Sequence, residues 1–220
     1  MIRRVVLAAV LAGIAAGLVM SIVQHWRVTP LILQAEAYEV APSHGDEEEA
    51  WAPADGLERT ALTVLFNVLS GVAFALLAAA ASLITRLPLN TGTGPMWGLA
   101  GFAAFMLAPS AGLPPELPGM AAGDLAGRQL WWWLAVAATA GGIGMMALTR
   151  HLAWKAAAIA LIGLPHLAGA PHAAGESSVP AGLANAFAAN AIAVSAVFWI
   201  VLGVSLGFLL ARQSAVQEAR

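Results

Sequence analysis

Cysteine is absent from this 220-residue chain, and charged residues are scarce. Without a thiol, the chain cannot form disulfides, thiolate metal sites or a cysteine nucleophile. Asp, Glu, Lys and Arg together make up only 10% of the residues, against about 25% in an average soluble domain. The Gly-x4-Gly-Lys-Ser/Thr loop of many nucleotide hydrolases is also missing. We therefore expect no enzymatic activity, no tightly bound cofactor and no nucleic-acid partner.

Apolar residues dominate instead, at 60% of the chain and with a mean hydropathy of +0.80. A helix that crosses a bilayer needs roughly 17–25 apolar residues. The pattern predicts an all-α, polytopic integral membrane helix bundle that forms a single membrane domain over residues 1–220. Six apolar runs mark its transmembrane helices: Val5–Val23, Ala61–Ile84, Met96–Leu107, Leu130–Leu148, Ala153–Leu164 and Phe187–Leu210.

The number of crossings depends on the third and fifth runs, which are short. Each reaches full length only if the helix continues through Pro109 or Pro165, so five crossings remain the alternative. Arg3 and Arg4 precede the first run, and positive residues favour the cytoplasmic side. Six crossings also place most later basic residues inside and nearly all acids outside. The charge pattern therefore favours six helices with both termini in the cytoplasm.

The longest polar stretch, residues 24–60, is predicted to be an outer loop rich in acids and histidine. It contains His44 and the acidic run 46–49, which would raise the local cation concentration by electrostatic attraction. The alternative is a solvated acidic loop with no such role. At its end, Asp55 and Glu58 have the spacing of a capping box that starts the second helix.

Two Pro-His pairs, Pro165-His166 and Pro171-His172, follow the fifth apolar run. Proline removes a backbone donor, so a carbonyl near each imidazole loses its helical partner. Within a membrane, this is tolerated only against protein or water. Imidazole ligands suit Zn, Cu, Ni, Co and Fe. We interpret the segment as a metal-binding end of a broken helix; the alternative is a polar loop that simply ends the helix.

A similar pattern follows the third run, where Pro109-Ser110 and Pro115-Glu116 have the same spacing as the two Pro-His pairs. Transporters often place their site where interrupted helices of two repeats meet. We therefore predict two helix-pair repeats, residues 61–119 and 130–175, with proline-broken third and fifth helices. Ser110 and Glu116 would then join the two histidines on one side of the membrane.

Other polar residues could extend this path. His25 is a further metal candidate, although the outer end of the first helix also suits an interfacial residue. Asn67 and Asn190 could offer neutral oxygens along the path, or instead join helices by hydrogen bonds. Small-residue pairs predict close helix packing in the first and last runs: Gly13 with Gly17, and Gly203 with Gly207.

The opening of the chain, from Met1 to Gly13 and on to Gln24, and the stretch 29–39 resemble the CbtA family of predicted cobalt transporter subunits. The segment 164–172 is similar to that family as well. The resemblance implies a bacterial inner-membrane protein that imports cobalt for cobalamin synthesis. It also implies a small single-span partner, CbtB, with a histidine-rich end. Members of the family are usually described with five predicted spans.

These features together predict a divalent transition-metal permease or permease subunit. Only the resemblance names Co²⁺, because a nitrogen and oxygen site generally binds Ni²⁺ and Cu²⁺ more tightly than Co²⁺, and Zn²⁺ is a further candidate. The alternative is a non-transporting membrane protein, either an assembly subunit or a haem carrier with His25 and His166 as axial ligands. The bilayer is an expected partner in every case, and homo-oligomerisation stays open.

Overall fold

The computed structural model describes residues 2–38, 53–121, 123–172, 175 and 177–218, and each regular element in these ranges is helical. His44 and the acidic run 46–49 lie outside the described residues. The α-helices are α1 (Ile2–Arg27), α2 (Thr29–Glu36), α3 (Leu57–Thr85), α4 (Gly94–Phe102), α5 (Ala108–Gly112), α6 (Leu125–Leu148), α7 (Leu152–Ala168) and α8 (Ala181–Glu218). A π-helical segment, Ala103–Leu107, connects α4 to α5.

Four of the described helices, α1, α3, α6 and α8, are long and apolar enough to cross a membrane. The helix α7 is apolar but shorter, at 17 residues. Their surfaces carry many large apolar side chains that are exposed in the isolated chain, as helices facing lipid would. The predicted all-helical class is therefore confirmed for the described residues, and the long apolar helices point to a membrane protein.

The chain divides into two compact units. The first contains α1, α3, the chain up to Gly98 in α4, and α8 from Val197 onward. The second contains most of α2, the chain from Leu99 through α5, α6 and α7, and α8 up to Ala196. The boundary after Gly98 divides the first candidate repeat, residues 61–119, between the two units. The repeat stays a prediction.

Glycine allows the backbones of α1 and α3 to approach closely in the first unit. A β-carbon on Gly71 would lie 2.3 Å from the carbonyl oxygen of Gly13, and one on Gly17 would lie 2.6 Å from that of Asn67. The buried Asn67 amide donates hydrogen bonds to Ser21 Oγ at 3.1 Å and to Gln24 Oε1 at 2.8 Å. Asn67 thus joins two helices, the second of the two roles considered for it.

The second small-residue pair also lies at a close backbone contact. A β-carbon on Gly203 would lie 2.3 Å from the carbonyl oxygen of Gly94, and one on Gly207 would lie 2.4 Å from that of Asn90. Any larger side chain at these positions would push α8 away from the segment that leads into α4. The predicted close packing of both glycine pairs is confirmed.

The start of α3 differs from the predicted capping box. Gly56 occupies the N-cap position with a φ of 87°, and no side chain caps it. Glu58 Oε2 accepts a hydrogen bond from the N–H of Ala54 at 3.3 Å. In the predicted capping box it would accept from the N–H of Asp55, so the observed contact lies one residue earlier. Asp55 instead pairs with Arg59 at 2.9 Å. Because the carboxylate of Asp55 lies one turn before a guanidinium, the ion pair replaces the cap.

In the second unit, α7 packs along α6. A β-carbon on Gly142 of α6 would lie 2.9 Å from the carbonyl oxygen of Ala158, which shows how close the two backbones are. The π-helical segment and α5 pack against the first half of α6. This arrangement brings the two proline-containing helix ends to the same helix, α6.

Candidate functional site

At Pro109, the first of the two proline positions, the helix is distorted but does not end. The chain stays helical from Gly94 to Gly112, but it widens into the π-helical segment just before Pro109. There the N–H of Ala108 bonds to the carbonyl of Ala103, five residues back. Pro109 has no N–H, so the wider turn accommodates its ring without ending the helix. Such π-turns often occur at functional sites.

At Pro165, the second proline position, the prediction of a broken fifth helix is wrong. The helix α7 continues through Pro165 to Ala168 and ends at Gly169, whose φ is 83°. Pro165 has no N–H to donate to the carbonyl four residues earlier, yet the chain stays helical for three more residues. The carbonyl of Pro165 accepts from the N–H of Gly169 at 3.2 Å and from Trp131 Nε1 at 3.0 Å. His166 is therefore a helical residue rather than part of a free loop.

Trp131 of α6 lies between these two ends. Its indole ring meets the imidazole of His166 edge to face, with centroids 5.5 Å apart and planes at 77°. A β-carbon on Gly112 would lie 2.3 Å from Trp131 Cη2, so α5 can reach the indole only with glycine there. The ring is buried, and its N–H is satisfied by Pro165. Trp131 thus fixes the end of α5 and the end of α7 to one point on α6.

A cavity of about 430 Å³ opens beside the π-helical segment, between α5, the loop that follows it and the first turns of α6. Phe105 and Trp132 form part of its aromatic wall, with ring centroids 6.3 Å apart. Further apolar residues and four polar ones complete the lining, the polar ones being Ser110, Glu116, Arg128 and Gln129. The cavity therefore contains two of the predicted site residues, Ser110 and Glu116.

The carboxylate of Glu116 forms an ion pair with the guanidinium of Arg128. Their side chains are 26% and 23% exposed, so water reaches both only partly. Arg128 lies in the first turns of α6, after Asp124, whose carboxylate caps the helix by accepting from the N–H of Gly127. Glu116 thus has a cationic partner, which the sequence-based prediction did not include.

The histidines are placed less compactly than predicted. His166 is half-buried against Trp131, whereas His172 and His25 are exposed. The residues just before His172 lie along α5 and the start of α6, since a β-carbon on Gly112 would lie 3.0 Å from the Cβ of Ala170. Among the described residues, no three or more His, Asp or Glu side chains are grouped to hold a metal ion. A preassembled centre of His166, His172 and Glu116 is therefore not present.

Two residues of this region were not predicted as site residues. Trp131 belongs to the triplet 131–133, which is visible in the sequence but predicts no particular contact. Arg128 appears in the sequence only as a basic residue just before the fourth apolar run. Asn190, a predicted path residue, donates to the carbonyl of Ala186 in its own helix at 2.7 Å.

The model of a family described as "Probable cobalt transporter subunit (CbtA)" matches residues 2–211 of this chain. The match covers nearly the whole sequence, including both proline-containing ends and the cavity. No curated protein and no solved structure matches the chain.

Proposed function

The chain belongs to the CbtA family, and from this premise we propose that it is the membrane-embedded subunit of a transporter that carries divalent cobalt into the cell. The match over residues 2–211 is the observation that carries the proposal. The apolar helices support it, because four of them suffice in length and composition to cross a bilayer. Divalent Ni²⁺ and Zn²⁺ are the competing substrates by ligand chemistry.

We place the protein in the bacterial inner membrane with six crossings and both termini in the cytoplasm. The four long helices supply four crossings. The 17 residues of α7 extend about 26 Å, and the helical stretch from Gly94 to Gly112 about 28 Å, close to the roughly 30 Å of a hydrocarbon core. The positions of Arg3 and Arg4 in the first turn of α1 support an inner N-terminus.

We assign the entry of the ion to the region where α5 and α7 end. His166 and His172 would replace part of the water shell of the ion, and Ser110 and Glu116 would act from the neighbouring cavity. A site that assembles only transiently suits conduction, because an ion must be able to leave as well as bind. The absence of a preassembled centre among the described residues is compatible with this role.

The driving force and the partner complete the proposal. A divalent cation moving inward through about 100 mV gains roughly 4.6 kcal/mol, so uptake needs no nucleotide hydrolysis.

The family description names a transporter subunit, which implies at least one further subunit. We propose a small single-span partner with a histidine-rich end, of the CbtB kind.

Uptake of radioactive cobalt into membrane vesicles tests the function. Vesicles with the chain alone, and with the partner, are compared with and without an imposed potential. Nickel and zinc are then added as competitors. We expect cobalt uptake that depends on the chain and increases with inside-negative potential. The extent to which nickel and zinc each inhibit this uptake would rank them as competing substrates. Uptake equal to that of empty vesicles in both preparations would overturn the proposal. A Soret band in the purified protein would support the haem alternative.

A pair of variants tests the site. Replacing both His166 and His172 by Ala is expected to lower cobalt uptake about tenfold or more, as for loss of groups that support a metal. His151→Ala is the matched control, because His151 is exposed and lies at the opposite end of the same helix. Uptake that survives the double replacement would remove the site assignment while leaving transport intact.

A further inference from the structure

The cavity beside the π-helical segment contains one cation already, the guanidinium of Arg128. Among the described residues that line it, Glu116 and Arg128 are the only ionisable ones, and they pair with each other. The cavity is therefore electrically balanced in this structure. A divalent ion that entered it would meet a neutralised carboxylate and a like charge.

The cavity is large enough for a hydrated ion. Its volume is about 430 Å³, whereas six water molecules occupy roughly 180 Å³ at their share of liquid volume. The hydroxyl of Ser110, the amide of Gln129 and the thioether of Met106 line the same space. Charge, rather than space, thus opposes entry of a cation.

Arg128 is in a position from which it can move. It follows the N-terminus of α6, where the helix dipole disfavours a positive charge. Because its guanidinium pairs with Glu116, a cation could bind to Glu116 only if this guanidinium moved aside. Asp124 lies four residues earlier, at the spacing of an i,i+4 pair, and its side chain is exposed. A second carboxylate, which caps α6 through its Oδ2 atom, therefore lies one turn away.

We propose that Arg128 is a displaceable counter-ion, and that Glu116 binds the incoming divalent cation once the guanidinium has moved towards Asp124. The cavity then holds either the guanidinium or the metal ion, not both at full affinity. This inference rests on the proposed function, since it describes how the entry region admits its substrate. It makes Arg128 a residue that sets affinity without touching the ion.

Equilibrium binding of radioactive CoCl₂ to the purified full chain tests the exchange. Arg128→Gln, which keeps a polar side chain without the charge, is expected to bind cobalt about fivefold tighter or more, the lower end of typical site couplings. Arg128→Lys is the matched control that retains the charge, and it is expected to remain close to wild type. Glu116→Gln is expected to lose this binding.

The double variant Glu116→Gln with Arg128→Gln distinguishes exchange from general charge repulsion. If Arg128 acts by pairing with Glu116, replacing Arg128 gives no increase in cobalt affinity when Glu116 has already been replaced by Gln. The inference would be overturned if Arg128→Gln increased cobalt affinity equally in the wild-type and Glu116→Gln chains, or in neither of them. If cobalt binding shows this coupling between Glu116 and Arg128 but vesicles take up no cobalt, the proposed transport function fails while the inference about Arg128 stands.

A measurement on the wild-type chain covers the case in which Arg128→Gln does not fold. A dicarbonyl reagent modifies free guanidinium groups, and mass spectrometry reports the extent at each arginine. Cobalt is expected to increase modification of Arg128 severalfold, with exposed Arg86 as the internal reference. Modification of Arg128 that cobalt leaves unchanged or lowers relative to Arg86 would refute the displacement.

Discussion

Replacing Gly71 by Ala should separate α1 from α3. The new β-carbon would lie 2.3 Å from the carbonyl oxygen of Gly13, which is 1.1 Å short of the 3.4 Å where ordinary contact begins. A backbone oxygen cannot rotate away, so the helices must move apart by about 1 Å. The bond from Asn67 to Ser21, now 3.1 Å, would then lengthen to about 4 Å and be lost.

These effects give the expected magnitude. Overpacking of a tight interface costs about 1–3 kcal/mol, and each interhelical hydrogen bond in a membrane protein contributes about 0.6 kcal/mol. With both bonds of Asn67 weakened, we expect Gly71→Ala to lower the free energy of unfolding by about 2–4 kcal/mol. Thermal unfolding of the purified protein in one detergent, followed by tryptophan fluorescence, would show a lower Tm.

Gly144→Ala supplies the control for this comparison. Gly144 lies within a long apolar helix like Gly71, but a β-carbon there would meet nothing within 4 Å. Alanine also favours helix over glycine by about 1 kcal/mol in water. The Tm of Gly144→Ala should therefore equal or exceed that of the wild type. Equal losses of Tm for the two variants would refute the reasoning from backbone contact.

Three further changes have defined expectations, each measured as a shift in Tm. Asn67→Ala removes both interhelical bonds and should cost about 1 kcal/mol; an unchanged Tm would mean that the bonds contribute nothing net. Trp131→Phe keeps an aromatic ring but loses the N–H donated to Pro165, so we expect a loss of about 1–3 kcal/mol and reduced cobalt uptake. Leu206→Ala should cost about 2–5 kcal/mol because Leu206 is fully buried, whereas Val204→Ala, at a 45% exposed position, should change little.

Local patterns in the sequence predicted the helices well because each depends on neighbouring residues. The apolar runs coincide with helices to within a few residues at most ends, and both small-residue pairs lie at close backbone contacts. Proline was interpreted too strongly. At Pro165 the helix continues to Ala168 although one helical hydrogen bond is missing, and at Pro109 a π-turn accommodates the ring.

The candidate site was predictable only in part. Ser110 and Glu116, each of which follows a proline, line one cavity. The partner of Glu116 was not predictable, because Arg128 is twelve residues away across a loop whose path the sequence does not specify. The position of His166 depends likewise on Trp131, which comes from another helix.

The sequence by itself determined the membrane class, the positions of the apolar helices and the family, since composition, hydrophobic length and motif order are properties of the chain alone. Tertiary structure decided which charges are free to meet an ion. Glu116 is a potential ligand in the sequence and a paired carboxylate in the folded chain. The reason is physical: a partly buried charge needs a partner, and only the folded path of the chain determines which partner lies within reach.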